Sequence, residues 1–189
     1  MQPWLVILII IAALVLFPLI WVVAIHNRFV RLRQHIKESW SDIDVELKRR
    51  YDLIGNLVET VKGYAAHERD TLQAIVEARN KAISSTGDPA SQAVDETELM
   101  LNLKQLFVVV EGYPQLRADT HFLALQKELS LTEDRIAASR RFYNANVREF
   151  NQLRGTFPTN LIAGAFNFEP QSFFELASEA ERVVPSIEL

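Results

Sequence analysis

The feature that most constrains this chain is the run WLVILIIIAALVLFPLIWVVAI, from Trp4 to Ile25. A helix needs about 20 apolar residues to cross a ~30 Å hydrocarbon core, and this run supplies them. Trp4 and Trp21 stand toward its two ends, where aromatic rings favour the membrane interface. Pro18 lies inside it, a position that membrane helices tolerate with a kink. A cleaved signal peptide fits less well. There is no basic stretch ahead of the run, the run is too long, and no A-x-A site separates it from the polar part. Residues 1–27 therefore read as an uncleaved transmembrane anchor, and 28–189 as the domain it carries.

All 20 basic and 24 acidic residues lie beyond residue 27. The first of them, Arg28, Arg31, Arg33 and Lys37, form a basic collar with no acid among them. The positive-inside rule then puts the N-terminus outside and the large domain in the cytoplasm, with a periplasmic domain as the alternative. The same four bases suit an anionic leaflet, each adding about 1 kcal/mol. Beyond the collar acids outnumber bases, and the whole chain carries a net charge of −4. An acidic body is a poor match for phosphate backbones, so nucleic acid is not an expected partner. With no cysteine, disulfides, CxxC redox pairs and thiolate metal sites are excluded.

The domain reads as all-α. Phe29, Leu32, Ile36, Trp40, Ile43, Leu47, Tyr51, Ile54, Val58, Val61, Ala65 and Leu72 recur at steps of three and four up to Ala65. That is the stripe of one long helix, predicted to run unbroken from the membrane to about Ala82. Ser84 to Pro89 is a breaker cluster. A second helix is predicted from about Ala93 to Glu111, followed by an extended segment to Asp119, because the residue before Pro114 avoids the helical region. Asp119 or Thr120 then caps a third helix through Arg154, with the stripe Phe122, Leu125, Leu129, Thr132, Ile136, Ser139, Tyr143, Val147 and Phe150. In that picture the second helix and the extended segment together descend the length that the third helix climbs back. The expected architecture is an all-α one, a transmembrane helix continuous with a long antiparallel helical bundle. Five phenylalanines between Phe157 and Phe174 make an aromatic tail expected to cover one end of the bundle, followed by a short amphipathic helix from about Ser172 to Val183.

Catalytic and cofactor motifs are missing from the sequence. His67-Glu68-Arg69-Asp70-Thr71 lacks the second histidine of a zinc helix, and no Glu-x-x-His spacing occurs. Phosphate loops and nucleophile elbows are missing as well. Asp42, Asp44 and Glu46 are spaced so that they spread over more than one helical face and read as solvated. No metal, cofactor or small-molecule substrate is expected. Two polar stretches remain: Arg49, Arg50 and Tyr51 with Asn56, and Arg141, Tyr143 and Asn144. Arg, Asn and Tyr on long helices can fix interhelical register through paired hydrogen bonds, the favoured reading, or form a candidate interaction face.

IDVELKRRYDLIGNLVETVKGYAAHE at 43–68 closely resembles the signature helix of the LemA family. Tyr113-Pro114, Leu125-Gln126, Thr132-Glu133-Asp134-Arg135-Ile136, Arg141-Phe142-Tyr143-Asn144 and Phe157-Pro158-Thr159-Asn160-Leu161-Ile162-Ala163 follow in the family's order. The family pattern usually has proline where this chain has Gly55. The resemblance implies one N-terminal anchor, a long antiparallel domain of the four-helix type and no established activity, with loose links to envelope stress, membrane proteases and membrane organelles. The expected function is a non-enzymatic scaffold or adaptor of a bacterial inner membrane, contacting lipid and either copies of itself or another membrane protein. The alternative is a membrane-remodelling or lipid-organising protein that acts through the collar and the aromatic tail.

Overall fold

A computed structural model describes residues 2–85 and 87–177. Among them the chain forms α1 (Pro3–Tyr64), α2 (Arg69–Ser84), α3 (Pro89–Glu111), α4 (Pro114–Arg117), α5 (Thr120–Gly155) and α6 (Thr159–Ala165), and no strand. α1 continues through Pro18 for 62 residues. Its apolar first part is long enough to cross a membrane, and no side chain from Pro3 to Ile20 is buried against the rest of the chain. Leu14 and Phe17, for example, are 69 % and 74 % exposed. Side chains this apolar need an apolar medium around them, and a helix is the form that satisfies its own backbone there.

The described residues fall into two compact units. The first comprises the chain through Glu38 together with Ala145–Gln171. Here α1 and α5 run antiparallel: Arg28 pairs with Glu149 at 3.0 Å, whereas further along α1 the His35 carbonyl accepts from the earlier Asn146 at 3.4 Å, and the rings of Phe29 and Phe150 meet edge to face at 5.5 Å. The interior is Phe29, Leu32, Ile36, Val147, Phe150, Ile162, Ala163 and Phe168. α6 is a helix that the sequence pattern does not anticipate. It closes in a Schellman turn: Asn167 takes the left-handed conformation at φ 52°, Phe168 N–H bonds the Ala163 carbonyl at 2.9 Å, and Asn167 N–H bonds that of Gly164. The turn returns Phe168 to the interior, stacked on Phe29 at 4.6 Å.

The second unit comprises Ser39–Asn144 and the chain from Ser172. The stripe expected on α1 is its buried face, with Ile43, Leu47, Tyr51, Ile54, Val58 and Val61 all inside. That helix ends at Tyr64, however, and does not reach Ala82. After Gly63, a weak helix former, Glu68 N–H turns back to the Ala65 carbonyl, and α2 starts in the reverse direction. Arg79 of α2 accordingly reaches Tyr51 of α1. Periodicity could not reveal this, because a helix that folds back keeps its 3.6-residue stripe on the buried side. α3 starts at Pro89, earlier than Ala93, since proline suits the first helical position. Residues 112–119 are not extended. Pro114 restrains only Tyr113 before it and then opens the helical turn α4, so the chain reverses compactly between α3 and α5. This replaces the expected two-segment descent with a corner. Asp119 caps α5 through the Phe122 N–H at 2.9 Å, as anticipated. No helix begins at Ser172: the tail to Ala177 is irregular, and the rest of the expected amphipathic helix lies outside the described residues.

Gly55 carries a consequence for α1. A Cβ added there meets the Arg79 guanidinium at 3.5–3.8 Å, an ordinary contact. Arg79 Nε also donates to the Tyr51 carbonyl at 2.6 Å, the acceptor that a proline at position 55 would leave without its helical partner. Gly55→Pro should therefore cost well under the ~3 kcal/mol of an interior helix proline. A double-mutant thermal-melt cycle with Arg79→Ala checks this: Arg79→Ala should be more damaging in the Gly55→Pro background than in the parent. Additive effects would rule out the compensation.

Candidate functional site

The densest chemistry in the second unit is buried and charged. Arg50 on α1 is 0 % exposed, as is Glu96 on α3. Arg50 Nη2 donates to Glu96, and Nη1 forks onto both oxygens of Glu133 at 3.1 Å. The Tyr51 hydroxyl donates to the other Glu96 oxygen, and Gln92 Nε2 bonds Glu96 at 2.8 Å and the Ala82 carbonyl at 3.1 Å. Burial alone would lower the Arg50 pKa, but the charges of Glu133 and Glu96 outweigh it and hold the guanidinium firmly protonated. Burial and the Glu96 charge together push the Tyr51 phenol far up. The cluster thus ties α1, α3 and α5 together through groups that cannot be separated cheaply.

A second set of polar groups reads backbone. Asn144 Nδ2 donates to the Phe174 carbonyl while Phe174 N–H donates to Asn144 Oδ1, at 2.9 and 3.0 Å. The Tyr143 hydroxyl donates to the Ser172 carbonyl at 2.9 Å. Phe174 is buried against Trp40, rings 5.4 Å apart. In the first unit Asn151 clamps Gln171 by the same paired amide contact, at 2.8 and 2.9 Å, and Arg154 Nε holds the Phe168 carbonyl. In each unit, then, side chains of α5 hold the tail by its main chain.

These contacts locate the residues singled out from sequence. Arg50 and Tyr51 are interior, so neither lies on an accessible face, and Tyr143 and Asn144 are engaged by the tail. Arg49 pairs with Glu128 at 2.8 Å, and Asn56 and Arg141 are exposed. In the collar, Arg28 faces Glu149 and Arg33 lies 5.8 Å over the Phe168 ring, while Arg31 and Lys37 are exposed. Of the acidic trio, Asp44 pairs with Lys48 at 2.6 Å and Glu46 sits 4.0 Å from Arg135. The described residues hold no group of three or more candidate metal ligands. Glu96 and Gln92 escape a reading of the sequence alone, although a signal exists: both fall on the apolar stripe of α3 with Leu99, Leu103, Leu106 and Val110.

Tyr143 gives a pH test. Burial, aided by the Asp88 charge, pushes its phenol up to about 12 from 10.0. A raised pKa means that its contribution to stability is intact below pH 10 and is lost as pH climbs through about 12. Alkaline titration by near-ultraviolet absorbance should show this late step in the parent chain and lose it in Tyr143→Phe.

A model of the LemA family matches residues 39–189. Protein LemA of Metamycoplasma hominis is 31 % identical over 83 % of this chain and 71 % of its own length. Magnetosome protein MamQ of Magnetospirillum gryphiswaldense is 23 % identical over 86 % of this chain and 70 % of its own length. Magnetosome protein MamQ 2 of Paramagnetospirillum magneticum is 25 % identical over 79 % of this chain and 64 % of its own. The matched family region starts at Ser39 and so leaves out the apolar run and the collar.

Proposed function

The chain belongs to the LemA family, and on that footing we propose that it is a non-enzymatic scaffold anchored in a bacterial inner membrane. One observation carries the reading: a single helix, α1, holds both the exposed apolar run and the buried stripe of the helical body, with no break from Pro3 to Tyr64. A chain built this way offers placement of a surface, and its buried charged cluster of Arg50, Glu96 and Glu133 holds helices together in what we read as an antiparallel four-helix bundle. The magnetosome proteins among its relatives are in keeping with a role at membranes. The collar puts its end of the span on the cytoplasmic side.

The partner we propose is a second copy, meeting the first along α3. Val94, Leu101 and Val108 are exposed at seven-residue intervals, while the opposite side of α3 fills the core. A heptad ridge is self-complementary under two-fold symmetry. Cysteine placed at Leu101 in this cysteine-free chain should give disulfide dimers on oxidation in native membranes, whereas cysteine at exposed Asn80 should not. Monomers at both positions, with no other protein crosslinked, would refute the scaffold reading.

A further inference from the structure

We propose that the α6 corner, residues 156–167, is a second membrane contact: an uncharged, aromatic-bearing loop that lies in the lipid interface beside the end of the span. The inference rests on the spanning reading of α1 and adds to it. No charged residue occurs between Arg154 and Glu169. Within that stretch Phe157, Leu161 and Phe166 are 74 %, 63 % and 50 % exposed, although Ile162 and Ala163 of the same short helix are buried. The loop therefore has an inner face that packs and an outer face that is apolar and uncovered.

Its height along α1 indicates what covers that outer face. Phe150 meets Phe29, and antiparallel α5 continues five residues past Phe150 to Gly155. At 1.5 Å per residue that carries it about 8 Å further, level with the last turn of the apolar run. The coverage of α1 agrees. Trp21, Val22, Ile25 and His26 are half-buried on one side of the helix, whereas Leu19, Ile20 and Val23 are exposed. The His26 ring packs on Phe166 at 4.7 Å and on Phe168 at 5.6 Å. If Trp21 to Ile25 lie in the bilayer, the loop beside them lies there too, with Phe157, Leu161 and Phe166 toward lipid. Phe and Leu are side chains that interfacial helices bury at the headgroup–acyl boundary, and a stretch without charge meets no charge-burial cost there. A water-exposed loop would have no reason to exclude charge over this length, and the bilayer is the apolar surface already in continuity with it.

The experiment uses the full chain in phospholipid vesicles, with single cysteines carrying a nitrobenzoxadiazole label at Phe157→Cys, Leu161→Cys, Leu14→Cys in mid-span and Asn80→Cys on exposed α2. Lipids bearing a nitroxide near the headgroup or at the acyl end, and aqueous iodide, serve as quenchers. Labels at 157 and 161 should emit blue-shifted, resist iodide and be quenched most by the headgroup-proximal nitroxide. The label at 14 should respond to the acyl-end nitroxide, and that at 80 to iodide. If 14 behaves so while 157 and 161 follow 80, the loop is in water and the inference falls. If they are dry but untouched by lipid nitroxide, a protein covers the loop and the inference falls as well. Failure at 14 removes the spanning reading itself.

Discussion

Replacing Arg50 with methionine should destabilise the helical body by about 3–5 kcal/mol, the cost of stripping a buried charge from its partners. The size follows from what remains. Glu96 is fully buried and Glu133 is largely so, and without the guanidinium both carboxylates must be neutralised or hydrated. Arg50→Lys should recover little of the loss, because one ammonium cannot fork onto Glu133 and reach Glu96 at once. Arg50→Met combined with Glu96→Gln and Glu133→Gln should recover much more, since it removes the stranded charge along with its partner. Denaturant unfolding of the three variants gives the ordering directly. A loss below about 1 kcal/mol for Arg50→Met, the range of surface pairs, would show that the cluster is hydrated and does not fix register.

The second large effect is at the strap. Phe174→Ala should cost about 3 kcal/mol, at the lower end for a buried phenylalanine because the tail can lift off without opening the core. The loss should be local. The Phe174 amide, now bonded to Asn144 Oδ1 at 3.0 Å, should exchange with solvent about 100-fold faster. Amides around Ile54 and Leu103, deep in the helical body, should keep their protection. Uniform acceleration everywhere would make the strap part of the global folding unit.

Stripe spacing makes α1 and α5 legible, because helices that bury one face must repeat apolar residues at three and four, and the Asp119 cap marks where α5 starts. The same spacing hides the turn at Ala65–Glu68, since a fold-back preserves the stripe. Pro114 acts on Tyr113 before it, but its fitness for a first helical turn decides the corner. Arg50 and Tyr51 stand out as polar residues on an apolar helix, whereas Glu96 and Gln92 are masked by the leucines of α3. The strap is not readable at all: asparagine amides that bind backbone leave no pattern in the segment they hold. α6 is short enough that its glycine and its neighbouring proline outweigh its helical residues.

The central claim is that the apolar run and the first stretch beyond it are one stiff helix. Spin labels at Leu14→Cys and Gln34→Cys, both on α1, measured by pulsed dipolar resonance in bilayers, test it most directly. About twenty residues of unbroken helix predict a single narrow distance near ~30 Å, within the spread of the label linkers. A broad distribution, or a peak much shorter, would mean a hinge where the chain leaves the membrane and would contradict the account.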